Sequence, residues 1–204
     1  MNYLKYLTEE IHSTVMATVD KNGLPVTCAI DIMDYDENGL YFLTAKGKNF
    51  YARLKHGKYV SLTGTKGTDT LSCVAISVRG KVEEVGSDYL SRLFEKNSYM
   101  YEIYPTKESH TALTVFRIYD GCGEWFNLSK KPVERASFSF GNGIKKVDGF
   151  YVADTCISCK KCVAVCPQGC IDFTSGYARI IQASCLHCGN CLNICPEKAV
   201  VKRG

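Results

Sequence analysis

The sequence predicts a two-part chain: a mainly β N-terminal domain, built as a small antiparallel barrel with short helices, followed by a small cysteine-rich α+β domain. Three observations lead there. β-rich runs punctuated by Asn-Gly pairs fill the larger, N-terminal part, no long β-α-β alternation is present, and a cysteine run is duplicated close to the C-terminal end. A length of 204 residues fits two modest domains better than one large one.

Taken in order, the chain opens with a short amphipathic helix over about residues 3–11. The run STVMATVD leads into Lys21-Asn22-Gly23, and LPVTCAIDIMDYD leads into Glu37-Asn38-Gly39 before LYFLT. Asn-Gly between apolar runs supplies the positive φ of a tight hairpin, so these runs are strands. GKNFYARLKHG reads as one short helix, and KYVSLTGT and TLSCVAISVRGKVEEV as strands. A helix near 87–96 precedes a last strand, TALTVFRIYDGCGEW. Five or six antiparallel strands with two or three helices fit a small barrel, not a doubly wound sheet. No G-x-G-x-x-G follows a strand, which argues against a Rossmann site.

With 46% apolar and 23% charged residues, the composition is that of an ordinary globular protein. The net charge of +4 is spread along the chain, so no basic run points to nucleic acid or to a membrane surface. No stretch of about 18 uncharged apolar residues exists to span a bilayer. The opening MNYLKYLTEEIHS carries acids where an export signal needs an apolar core, and a cytoplasmic protein is expected. Twelve cysteines in such a chain point to metal or cluster ligation in a reducing compartment.

Eight of them form two runs. Cys156, Cys159, Cys162 and Cys166 precede Pro167, and Cys185, Cys188, Cys191 and Cys195 precede Pro196. Each run reads C-x2-C-x2-C-x3-C-P, and the offset that carries Cys156 onto Cys185 carries every other member of the first run onto the second, so the tail is an internal duplication. Three thiolates two residues apart can wrap one corner of an iron-sulfur cube, and the fourth must come from elsewhere. Paired structural zinc sites are the alternative, although zinc ribbons do not normally use a triplet followed by Cys-Pro.

The segment from about 152 to 201 resembles a two-cluster bacterial ferredoxin, in which the fourth cysteine of each run ligates the other cluster. That resemblance assigns one 4Fe-4S cluster to Cys156, Cys159, Cys162 and Cys195, and the other to Cys185, Cys188, Cys191 and Cys166. Cys170, which the offset maps onto Ala199, reads as a small buried filler. Residues 149–204 hold six Lys or Arg against three Asp or Glu. Two oxidised clusters of about −2 each turn this formal +3 slightly negative.

In the first part, the strand order and the segment ATVDKNGLPV…YFLTAKGKNFYARLK…YVSLTG resemble the FMN-binding split-barrel family, which includes pyridoxamine 5′-phosphate oxidase and nitroimidazole-resistance flavoproteins. The resemblance covers about residues 1–135 and implies FMN lying across a homodimer interface. It places the flavin phosphate at Thr44, Lys46, Lys48 and Asn49, where a helix N-terminus and two ammonium groups suit an anion. It sets the backbone of Cys28, Ala29, Ile30 and Asp31 along the isoalloxazine ring, with Ser61 and Thr63 on a neighbouring strand. As bare residues, the first group equally reads as a solvated lysine-rich turn and the second as an ordinary core strand. Where the oxidase presents a basic residue to FMN this chain has Cys28, and no pyridoxal-phosphate-binding set is recognisable, so pyridoxamine phosphate oxidase activity is not expected.

The implied organisation is a split barrel at 1–135, a linker at 136–150 and a ferredoxin domain at 151–204. It implies an iron-sulfur flavoprotein oxidoreductase of an anaerobic or microaerobic cell, holding FMN and two 4Fe-4S clusters. Electrons would pass between a ferredoxin-type redox partner, the clusters, FMN and a small organic acceptor. The rival reading is a carrier or redox sensor with no substrate of its own, and a third keeps the barrel but fills it with haem or another flavin-type cofactor. His12, His56 and His110 stand alone in the sequence and read as surface or capping residues, Cys73 as core, and Cys122 as a candidate flavin-side or aromatic-staple residue.

Overall fold

Asp20 closes the first hairpin: its carboxylate accepts the N–H groups of Asn22 (2.8 Å) and Leu24 (3.0 Å), and Gly23 takes φ +82°. The turn fixes the register of β1 (Ser13–Val19) on β2 (Pro25–Asp31), so that Ser13 faces Asp31 and Val19 faces Pro25. On β1, Thr14, Met16 and Thr18 are buried and Ser13, Val15 and Val19 are exposed, the two-residue period of a half-buried strand. The second Asn-Gly turn joins β3 (Asp34–Asp36) to β4 (Gly39–Ala45). Only glycine fits there, because φ is +144° and a Cβ would lie 1.9 Å from the Ile118 carbonyl oxygen.

The computed structural model describes residues 1–145 and 148–204. These divide into one unit of Met1–Lys66, Ala75–Glu124 and Phe138–Lys145 and another of Gly67–Val74, Trp125–Ser137 and 148–204. The larger sheet is built on β1 to β4, β5 (Tyr59–Lys66), β6 (Val74–Gly86), β7 (Leu113–Asn127) and β8 (Glu134–Phe140). These form an eight-stranded sheet in the order β2-β1-β5-β6-β7-β4-β3, with β8 also paired to β7. The helices are α1 (Tyr3–Tyr6), which runs on as a wide turn through Ile11, α2 (Asn49–His56), α3 (Leu90–Lys96), α4 (Met100–Ile103) and α5 (Lys107–His110). Leu93 and Phe94 of α3 are fully buried against Met33, Tyr41, Leu113 and Val115, each such side chain stabilising the fold by about 1.5–3 kcal/mol.

Two predicted elements differ. The run LPVTCAIDIMDYD is two strands, because Ile32 and Met33 are both buried and consecutive residues of one strand cannot share a face. Their N–H groups turn to the carbonyls of His12 and Tyr41. Within the expected linker 136–150 the chain forms most of β8, whose Phe138 and Phe140 rings press on β7 where side chains are missing. A Cβ on Gly123 would lie 2.5 Å from the Phe138 ring, and one on Gly121 2.3 Å from Phe140. Lys146 and Val147, also in that expected linker, lie outside the described residues.

The second unit repeats itself as its sequence does. β9 (Gly149–Val152) pairs with β12 (Val200–Arg203), and β10 (Ile171–Asp172) with β11 (Arg179–Ile180), both antiparallel. The short helices α6 (Lys161–Ala164) and α7 (Asn190–Ile194) start at positions related by the offset of the cysteine runs. Its small core joins Phe150, Ile171, Ala178, Ile180 and Val200 to cysteines 170, 185 and 191. No described helix is long and apolar enough to cross a membrane.

Candidate functional site

The cysteines of the second unit surround two hollows. One is lined by Cys156, Cys159, Cys162 and Cys195, with Val152, Phe173 and Val200 as apolar wall. The other is lined by Cys166, Cys185, Cys188 and Cys191, with Phe150, Ile171 and Ile180. Each wall thus takes three cysteines from one run and one from the other, the grouping that the ferredoxin resemblance implies. A single tetrahedral ion needs four sulfurs about 2.3 Å from one point. Among the described residues no three His, Cys, Asp or Glu side chains form such a group.

The backbone of the two hollows repeats with the sequence. Ser158 (φ +56°) corresponds to His187 (φ +55°), Lys160 (φ +60°) to Gly189 (φ +82°), and Gly169 (φ +59°) to Lys198 (φ +50°). Left-handed residues beside extended or helical ones turn successive N–H groups inward, which builds a concavity for anionic sulfur. The His187 N–H donates to Cys185 Sγ (3.4 Å) and the Ala199 N–H to Cys195 Sγ (3.3 Å). Burial pushes the Cys162 and Cys191 thiols up. At Cys166 burial acts the same way, but N–H groups of Cys170, Gln168 and Gly169 and the Cys170 thiol together hold it below its usual value. Thiol donors around an apolar hollow with amides aimed at sulfur fit iron-sulfur clusters.

Cys170, read as a filler, is buried and lines the second hollow with its Sγ 3.5 Å from Cys166 Sγ. His187 sets its ring edge against Phe150, 6.2 Å between centroids.

In the first unit the ten residues assigned to the flavin do not form one cluster. β1 registers Val15 against Ala29 and Thr63, Ala17 against Ser61, and Ser13 against Asp31, so Ala29, Asp31, Ser61 and Thr63 share the outer face of the sheet. The Thr63 hydroxyl is 3.0 Å from that of Ser77. Cys28 and Ile30 lie on the opposite face, with Met16 and Thr14. There burial pushes the Cys28 thiol up while the charges of Arg53 and Lys48 act against it, which places both cations nearby. Lys46 reaches the Thr111 carbonyl (3.4 Å), whereas Lys48 caps α2 and Asn49 opens it.

Arg53 is the residue that sequence reading missed. It stands one turn along α2 from Asn49, a spacing that puts two side chains on one helix face. It donates to Thr18 Oγ1 (2.8 Å) and lies over the Phe50 ring. Asn49, Arg53 and His56 line an open basin with Lys21 and Asn22 of the hairpin. Thr44, at the end of β4, is buried and its hydroxyl has no hydrogen-bond partner. β2 is an edge strand, which leaves half its backbone groups free of the sheet. Two cations and a free strand edge fit a phosphorylated planar cofactor.

Two isolated residues take definite places. Cys122 lies within β7 between glycines that the Phe138 and Phe140 rings require. His12 does not stand alone: Nε2 lies 3.1 Å from the Tyr99 hydroxyl and 3.5 Å from Asp31 Oδ2. Asp31, whose backbone the resemblance sets along the flavin ring, also accepts from Ser13 and Tyr99 through its carboxylate.

Comparison with known proteins agrees with both halves. The family model described as pyridoxamine 5′-phosphate oxidase matches residues 3–119, and the 4Fe-4S dicluster domain model matches 155–199. No curated protein matches the chain. Among solved structures, a NimC/NimA family protein from Clostridium acetobutylicum is 16% identical with TM-score 0.52, covering 68% of this chain and 87% of its own. PhzG from Burkholderia lata 383, solved in complex with tetrahydrophenazine-1-carboxylic acid, is 14% identical with TM-score 0.52, covering 68% of this chain and 81% of its own. A protein of unknown function from Agrobacterium tumefaciens is 18% identical with TM-score 0.45, over 53% of this chain, which spans 47% of that protein.

Proposed function

Because the chain belongs to the pyridoxamine 5′-phosphate oxidase family and carries a 4Fe-4S dicluster domain behind the family's fold, we propose that it is an iron-sulfur flavoprotein oxidoreductase. In this reading it binds FMN and two 4Fe-4S clusters and passes electrons from a ferredoxin-type partner to a small organic acceptor. The observation that carries the proposal is the pair of hollows, each lined by three cysteines of one run and one of the other. A flavin takes two electrons together or singly and a cluster takes one, so a chain holding both exchanges single-electron and paired chemistry.

The residues divide the work. The two cysteine sets hold the clusters, and the apolar walls with backbone N–H groups around them tune how easily electrons enter. Lys48, Asn49 and Arg53 hold the flavin phosphate at the start of α2, Thr44 supplies a hydroxyl, and the free edge of β2 lies along the ring. The exposed apolar residues Val15, Val19 and Tyr59 form the face covered by a second copy. Cys28 in place of a basic residue separates the chain from pyridoxamine phosphate oxidation.

Anaerobic purification followed by iron, sulfide and flavin quantitation tests the reading. About eight irons and one flavin per chain are expected, with FMN rather than FAD released on denaturation. Zinc without sulfide would overturn it, and haem in the barrel would overturn the flavin half alone. Reduction of an acceptor only after adding a specific partner enzyme would favour the pure carrier.

A further inference from the structure

His12, Tyr99 and Asp31 come from three separate segments and meet at one point. The Tyr99 hydroxyl donates to Asp31 Oδ2 (2.9 Å) and lies 3.1 Å from His12 Nε2, while the Ser13 hydroxyl donates to Asp31 Oδ1 (2.5 Å). His12 Nδ1 faces the Thr8 carbonyl (3.4 Å), so both ring nitrogens face acceptors and each can carry a proton. His12 holds φ +65°, ψ −67°, the strained γ-turn region that non-glycine residues avoid. Burial, with the Asp31 carboxylate as hydrogen-bond acceptor, pushes the Tyr99 phenol upward, which keeps it protonated.

His12 and Tyr99 of this triad open onto a surface cleft lined also by Met33, Tyr35, Lys96 and Ser98, among others. The charges around it are compensated. Asp34 is paired with Lys96 and Arg92, and Glu9 meets Lys5 (3.7 Å) and the Tyr35 hydroxyl (3.4 Å). Lys96 is the sole Lys or Arg among the described lining residues, and it is spent on Asp34. Such a cleft holds no spare cation for a phosphate ester or a carboxylate, but it offers the Tyr35 and Tyr99 rings and a hydroxyl donor. That pattern suits a flat, neutral molecule with a carbonyl oxygen.

We propose that this cleft binds a neutral quinone-type acceptor and that Tyr99, backed by His12 and oriented by Asp31, delivers the proton its oxygen needs. The proposal rests on the flavin reading above for its electrons. Reducing a quinone to its hydroquinone takes two electrons, supplied by the reduced flavin, and two protons. The Tyr99 O–H turns from Asp31 onto the acceptor oxygen and breaks as an O–H bond forms there, and the His12 Nε2 proton passes to the Tyr99 oxygen. Water restores His12, and the second acceptor oxygen takes its proton from water in the open cleft.

Duroquinone (tetramethyl-1,4-benzoquinone) is the probe. The reduced full chain is reoxidised either by duroquinone or by ferricyanide, which takes an electron and no proton, and the ratio of the two rates is the readout. Tyr99→Phe and His12→Gln are each expected to lower that ratio, Tyr99→Phe by about 100-fold, as loss of a general acid does. An unchanged ratio in Tyr99→Phe overturns the proposal. A second arm measures equilibrium binding of duroquinone to the oxidised chain, which Ser98→Trp, an exposed position on the cleft wall, is expected to abolish. No binding by the unsubstituted chain, or binding that survives Ser98→Trp, also overturns it. Binding lost in Ser98→Trp by a chain found to hold no flavin upholds the cleft and refutes only the source of electrons.

Discussion

The proposed swap of the fourth ligand reverses what a simple reading of the sequence expects from its loss. If each run held its own cluster, removing Cys166 would cost the cluster of Cys156, Cys159 and Cys162. The hollows put Cys166 with Cys185, Cys188 and Cys191 instead, so its removal should empty the site formed by the other run. Cys170 complicates the single change, because its Sγ lies 3.5 Å from that of Cys166 on the same wall and can take its place. The clean perturbation is therefore the pair Cys166→Ala with Cys170→Ala. Iron should fall from about eight to about four per chain, the content of one remaining cluster. A further Cys188→Ala should then remove no more iron, whereas a further Cys159→Ala should remove the rest. Iron and sulfide assays with electron paramagnetic resonance of the reduced protein give the count. If the third change removed iron at Cys188 and spared it at Cys159, the crossed ligation would be refuted.

Three other outcomes follow from the first unit. Arg53→Ala should weaken FMN binding by about 10- to 100-fold, since a hydrogen bond to a charged group is worth about 1.5–3 kcal/mol, and Arg53→Lys should recover part of it; titration of the flavin-free chain measures both. Gly39→Ala should destabilise the barrel by more than about 2 kcal/mol, because it adds a Cβ 1.9 Å from the Ile118 oxygen at a backbone angle that favours glycine; a fall in Tm shows it. Burial, reinforced by the Asp36 carboxylate, pushes the Tyr41 phenol up to about 12. The unfolded chain loses that proton near pH 10 and the folded chain holds it to about 12, so stability falls across this window by at most about 3 kcal/mol. Tyr41→Phe should remove that part of the slope in denaturant titrations.

The tail was readable because its chemistry is written in spacing. Iron-sulfur ligation needs sulfur at fixed separations along a tight loop, and a duplication at one constant offset shows in the letters themselves. Even the left-handed positions recur at that offset, although Ser158, Lys160, His187 and Lys198 are not glycines and nothing in their identity announces such a backbone. The hairpins were readable for a related reason: Asn22-Gly23 and Asn38-Gly39 supply the turn geometry locally. β8 was not, because small residues and glycines near 134–143 look like a linker until the bare faces of Gly121 and Gly123 are set against Phe138 and Phe140.

The barrel's polar sites escaped the sequence because they are made by register and not by motif. Asp31 reaches Ser13 through the β1–β2 pairing and reaches Tyr99 across 68 residues of chain, and no local pattern encodes either. Arg53 carries a faint signal, its four-residue spacing from Asn49, but that spacing is equally common on any solvated helix face. What raises it above that background is Thr18, a buried hydroxyl that accepts from Arg53 Nε (2.8 Å). An exposed arginine seldom holds one rotamer, since fixing such a long side chain costs about 1.5–2 kcal/mol of entropy. Arg53 is held instead by a neutral hydroxyl and the Phe50 ring, neither of which cancels its charge. An arginine fixed in place with its charge uncompensated by these contacts is the arrangement an incoming phosphate requires, and it appears only once α2 is laid against the hairpin.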